Sequence, residues 1–198
     1  MNILVDLLPI AVEIDNKNYE INSGFRTSIL FELLMQDSSI GEEDKIITAL
    51  ELYYPVIPEN INEAIEQMLW FYRCGKEITS SKGNGKGKSV TRIYSFEHDD
   101  DYIYAAFMDQ YNIDLQDIEY LHWWKFKAMF KSLKEDNEIV KIMGYRSMDL
   151  SKIKSKEEKA YYKKMCKLYE IPISKDEREK LDEITEALLL GKNVNNLL

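Results

Sequence analysis

Apolar and polar positions alternate at the start of the chain and then change to a helical period. Val12-Glu13-Ile14 and Tyr19-Glu20-Ile21 flank Asp15-Asn16-Lys17-Asn18, residues that tolerate turn conformations, and together they predict a short hairpin. After Ser23-Gly24 the stretch Phe25 to Met35 is apolar nearly all round, which predicts a buried helix. Ile46, Leu50 and Tyr53 then recur at helical spacing until Pro55 and Pro58 stop the second helix. Asn60 or Asn62 can cap a third, with Ile61, Ile65, Met68 and Tyr72 as one stripe widened by Ala64 and Leu69. Gly75 offers that helix a left-handed end.

From Thr79 to Ser89 the sequence TSSKGNGKGKS has no apolar residue and three glycines, the composition of an exposed loop or linker. Beyond it, Asp99 to Tyr111 and Asp117 to Leu133 read as two helices whose short connection predicts a helical hairpin. Asn137 caps a shorter helix expected to end at Gly144. The tail from Ser155 places Tyr161, Met165 and Leu168 on one face and breaks at Pro172. It restarts at the capping box Ser174-Lys175-Asp176-Glu177, ahead of Leu181, Ile184 and Leu188. The expected fold is mainly α, a multi-helix bundle with a small N-terminal β-hairpin. Residues 1–78 form the hairpin and a helical lobe, 79–90 a Gly/Lys/Ser-rich linker or loop, 91–150 an aromatic-rich helical lobe, and 151–198 an amphipathic helical tail.

Composition changes this picture in two ways. The 198 residues are 45% apolar and include thirteen Tyr, seven Phe and three Trp, so the core is expected to be rich in rings. A net charge of −9 argues against a nucleic-acid partner, because phosphate binding draws on Lys and Arg. The apolar run at the N-terminus is interrupted by Asp6, Pro9 and Glu13 with no basic residues before it, so it does not read as a signal peptide. No apolar stretch approaches the ~20 residues of a membrane span. Cys74 and Cys166 are isolated from each other and fit reduced thiols in the cytoplasm.

The segment Tyr94 to Trp124 holds both histidines and eight carboxylates without one Lys or Arg. Asp99, Asp100 and Asp101 sit where carboxylates cap a helix start, and Asp114 and Asp117 could serve the next helix in the same way. His98 and His122 lack the close helical spacing of a metal-binding pair, and DDDYIYAAF lacks the glycine of a calcium loop. GNGKGKS has the wrong glycine spacing and context for a phosphate-binding loop. Cys74, close behind Trp70, Phe71 and Tyr72, reads as a small hydrophobe. These residues identify no catalytic group, cofactor or metal ligand set, and nothing in them identifies an enzyme.

Trp123, Phe126, Phe130 and Leu133 form one helical stripe, while adjacent tryptophans point about 100° apart. The helix is therefore expected to be buried on two sides, the alternative being that one Trp marks a partner surface. Tyr120, Trp123 and Trp124 are the candidate partner contacts. Every charge between Arg92 and Lys125 is acidic, whereas Lys125 to Lys164 carries twelve basic residues against six acidic ones. Such segregation can guide association, self-association included.

FYRCGK (Phe71 to Lys76), the block YSFEHDDDYIYAAFMDQYNIDLQDIEYLHWWKFKAMFKSL and IMGYR (Ile142 to Arg146) together resemble the phage "gene product fifteen" family. These are proteins of siphophages and prophages of Gram-positive bacteria, encoded near the tail tape-measure gene. The resemblance implies a helical, non-enzymatic tail assembly chaperone that binds the tape-measure protein in the host cytoplasm and is absent from the finished tail. A neighbouring tail assembly protein is a further expected partner; nucleic acid and membrane are not. Two alternatives stand beside it: a structural tail component retained in the virion, and a metal-dependent phosphate-processing enzyme built on His98, Asp99, Asp101 and His122.

Overall fold

A computed structural model describes residues 2–76 and 92–172. The expected linker at 79–90 and the helix expected after Ser174 lie outside the described residues.

The N-terminal hairpin pairs β1 (Ala11–Ile14) with β2 (Lys17–Glu20) in antiparallel register, Val12 opposite Tyr19 and Ile14 opposite Lys17. Its turn is shorter than the expected Asp15-to-Asn18 stretch. Asp15 and Asn16 alone make it, both with positive φ (49° and 58°), the two-residue form whose twist matches the strands. Val12 and Ile14 point into the core, and Asp15 ties the turn to the third helix through Glu63 and Asn60.

Three helices follow: α1 (Phe25–Gln36), α2 (Glu42–Tyr53) and α3 (Ile61–Tyr72). Asn60 caps α3 by accepting from the Glu63 N–H. The buried face of α3 is Ala64, Met68 and Phe71, rotated from the expected stripe, and Ile61 is exposed. Ala64 explains the rotation: its small side chain allows close approach, and the buried Tyr54 hydroxyl donates to the Ala64 carbonyl at 2.8 Å.

Beyond residue 92 lie α4 (Asp100–Tyr111), α5 (Trp123–Lys131), α6 (Glu138–Ser147) and α7 (Lys156–Leu168). The helix expected from Asp117 begins only at Trp123. Residues 114–118 form a turn instead, in which the Asp114 carboxylate accepts from the Gln116 and Asp117 N–H groups. The Arg26 guanidinium also donates to the carbonyls of Leu115, Gln116 and Ile118, removing them from any helical ladder. Conversely, α6 runs past Gly144 to Ser147, because that glycine keeps helical geometry in open space.

The expected α4–α5 hairpin is loose: α5 lies mainly against α1 and α4 against α6. The two still touch where Phe107 stacks on Phe126 at 4.9 Å and the Tyr111 hydroxyl donates to the Met129 carbonyl. Phe126 is the hub of the core, with Phe25, Trp123 and Phe130 stacked around it as well. Residues on both sides of 79–90, such as Phe25 and Phe71 on one and Phe107 and Phe126 on the other, share one hydrophobic cluster. The expected α7 face of Tyr161, Met165 and Leu168 is not the docked one, since Tyr161 and Leu168 are exposed. Tyr162 and Tyr169 turn toward Tyr145, and the Cys166 thiol donates to its carbonyl. Among the described residues no helix is long and apolar enough to cross a membrane.

Candidate partner-binding surface

The candidate contacts cluster where two helices begin together. Ser23-Gly24 and Leu121-His122 form a two-residue antiparallel bridge, with the Phe25 N–H on the Leu121 carbonyl (2.9 Å) and the Trp123 N–H on the Ser23 carbonyl (2.8 Å). Amide groups at both helix starts are thereby satisfied by the neighbouring chain segment. Trp123 is 0% exposed and Trp124 4%, so α5 is buried on two sides. Their indole N–H groups donate to the Tyr72 carbonyl (2.9 Å) and the Phe71 carbonyl (2.8 Å), carbonyls at the C-terminal end of α3. In this conformation they anchor helices rather than face outward, and only Tyr120, 55% exposed and bonded through its hydroxyl to Ser23 Oγ, remains on the surface. Gly75 completes the joint: its φ is 67°, and a Cβ there would lie 2.9 Å from the Trp124 ring.

His122 links this joint to the N-terminal segment. Its Nδ1 accepts the Trp124 N–H (3.0 Å) as the cap of α5, which leaves the proton on Nε2 to be donated to the Pro9 carbonyl (3.0 Å). Both nitrogens are occupied, so His122 has no lone pair for a metal. His98 is half-exposed and its nearest acidic partner is Glu97 at 3.8 Å. Among the described residues no three His, Cys, Asp or Glu side chains are grouped to hold a metal ion.

Burial holds the His122 pKa below 6.5, opposed by the Pro9 hydrogen bond and assisted by Lys125. Because the folded value is depressed, its contribution to stability is complete above 6.5 and is lost as pH falls through the lower folded value. Urea midpoints should therefore drop between about pH 7 and about pH 5, and the His122→Asn variant should show a smaller drop over the same window. Equal slopes in the two proteins would remove His122 as the titrating group.

The segment anchored by His122 carries a run of exposed apolar side chains. Leu4 is 90% exposed and Leu7 95%, with Val5 and Ile10 also mostly exposed. Leu7, Ile10, Tyr120 and Lys125 border a hollow of ≈ 320 Å³. A second hollow, of ≈ 400 Å³, lies between α1 and α4 and is lined mainly by Phe25, Ile29, Leu30, Ile103 and Leu115. Sequence reasoning weighed the run NILVDLLPI only as a leader peptide; its lack of a periodic burial pattern was the available signal of an exposed ridge.

Asp99 occupies the cap position of α4 but makes no side-chain cap bond. It is 2% exposed and accepts from the Ser95 N–H and from both terminal nitrogens of Arg146 on α6, at 2.5 and 2.9 Å. Arg146 Nε also donates to the Tyr169 carbonyl, so one side chain joins α6 to the start of α4 and the end of α7. Asp100 and Asp101 do occupy the first turn of α4, where carboxylates face the positive end of the helix. Cys74 and Cys166 are free thiols.

These joints are built from the same segments that carry the sequence resemblance: Phe71 to Gly75, the block containing Asp99 and His122 to Trp124, and Arg146. No curated protein and no solved structure matches the chain. A scan of protein families matches residues 4–171 to Bacteriophage Gp15 protein, a span that includes every joint described above. The chain belongs to the Bacteriophage Gp15 protein family.

Proposed function

We propose that this phage protein is a non-enzymatic tail assembly chaperone that binds the tape-measure protein in the cytoplasm of the bacterial host. The observation that carries the reading is the exposed apolar ridge of Leu4, Val5, Leu7 and Ile10 beside Tyr120. A tape-measure protein is a long helical chain with apolar stripes, and an exposed apolar ridge suits the capture of such stripes before they aggregate. Tyr120 supplies an aromatic contact at the edge of the ridge, while Trp123 and Trp124 hold the platform beneath it. A neighbouring tail assembly protein is a second partner of the same kind; nucleic acid and membranes are not partners.

Leu4→Asp/Leu7→Asp tests the ridge. Burying two leucines contributes several kcal/mol, so the double variant should retain less than about a tenth of the wild-type capture of co-expressed tape-measure protein. Its melting temperature should stay unchanged, because neither side chain is buried. Undiminished capture would remove the ridge as the contact. Recovery of the protein in purified phage particles at fixed stoichiometry would instead favour a structural tail component.

A further inference from the structure

The outer face of α5 carries a local charge opposite to that of the whole chain. Lys127, Ala128 and Lys131 lie along one side of the helix and, with Lys76 and Ile3, line a hollow of ≈ 270 Å³ that has no carboxylate in its wall among the described residues. Against a net charge of −9, this is a basic rim around an apolar floor. Its volume is below the ~300–1,000 Å³ of small-molecule sites and suits one or two aliphatic side chains. Among the described residues Lys76, Lys127 and Lys131 form no ion pair.

The complementary surface is found elsewhere on the same chain. On α2, Lys45 is buried and paired with Glu42, which turns Glu43, Asp44, Ile46, Ile47 and Glu51 outward. Glu43, Ile47 and Glu51 stand four residues apart, one line along the helix. Glu43, Asp44 and Glu51 make no ion pair among the described residues, and both isoleucines are in water.

We propose that a second copy of this chain docks the outward face of its α2 onto the outer face of α5. Ile46 and Ile47 fill the hollow over Ile3 and Ala128, and the α2 carboxylates meet Lys76 and Lys131. The contact joins two different surfaces, so each copy keeps one free donor and one free acceptor face, and association continues into rings or open chains. It requires no other protein, and it shares Ile3 with the hollow beside Leu7.

Sedimentation velocity of the purified full chain tests this without any partner. Wild type should gain mass with concentration and lose it as salt is raised, since the rim charges are screened. Lys76→Glu/Lys131→Glu alone and Glu43→Lys/Glu51→Lys alone should each weaken association by about tenfold or more. All four side chains are exposed, so the fold should be intact by circular dichroism. Mixing the two variants should restore association, because the reversed α5 face of one then meets the reversed α2 face of the other. A wild type that stays monomeric at every concentration, association untouched by either reversal, or failure of the mixture to recover would each overturn the proposal.

Discussion

Arg146→Ala should unfold at far lower urea than wild type, with a loss of about 3–5 kcal/mol, the cost of leaving a buried carboxylate without its partner. Asp99 is 2% exposed and two of its three hydrogen-bond donors among the described residues are Arg146 nitrogens, so truncation leaves it, among those residues, with the Ser95 N–H. The loss is a large part of the ~5–15 kcal/mol that holds a typical domain together. Arg146→Lys should recover little, because an ammonium cannot make the two parallel bonds of the guanidinium and also reach Tyr169. Removing both charges in Asp99→Ala/Arg146→Ala should destabilise less than Arg146→Ala alone, since no buried charge is stranded. If the double variant were the weaker protein, the ion pair would be a direct source of stability, and the stranded carboxylate would not explain the single variant.

Trp123→Ala and Trp124→Ala should each cost about 3–5 kcal/mol, the range for emptying a large aromatic site in a packed core. The phenylalanine variants separate packing from hydrogen bonding, because a phenyl ring keeps most of the stacking and loses the indole N–H. The Phe71 carbonyl also accepts the Cys74 N–H at 2.9 Å, so Trp124→Phe leaves it with a partner. Among the described residues the Tyr72 carbonyl has otherwise only a long thiol contact at 3.9 Å. Trp123→Phe should thus be the more damaging, by about 1 kcal/mol, in thermal melts followed by near-ultraviolet circular dichroism. The reverse order would mean that ring shape, and not the indole bond, sets the cost.

Local periodicity made much of this fold legible. The hairpin, the three helices before residue 76 and the cap at Asn60 follow from alternation, helical spacing and residues that favour helix starts, whereas Asn137 holds the cap position of α6 without a side-chain cap bond, its amide donating to Gln110. Two of the misread helix starts share a cause, which is that a distant side chain took over a local preference. Asp117 reads as a helix start until Arg26, far away in sequence, takes the carbonyls of Leu115, Gln116 and Ile118. Asp99 reads as a cap until Arg146 claims its carboxylate. Trp123 and Trp124 were legible as a pair that one narrow face could not hold, but their hydrogen bonds to the end of α3 depend on tertiary contact and leave no mark in spacing. Tyr120 alone of the three contacts stays on the surface, and the ridge from Leu4 to Ile10 had no period to announce it.

Under the proposed chaperone function, this protein keeps the tape-measure protein soluble. Co-expression of the two from one phage genome, with affinity capture of the tape-measure protein and light scattering of the eluate, tests it most directly. The expected result is a soluble complex with several copies of this chain on each tape measure, and an insoluble tape measure when this chain is left out. A tape measure that is equally soluble without it, or one that stays insoluble and captures none of it, would rule out the chaperone function.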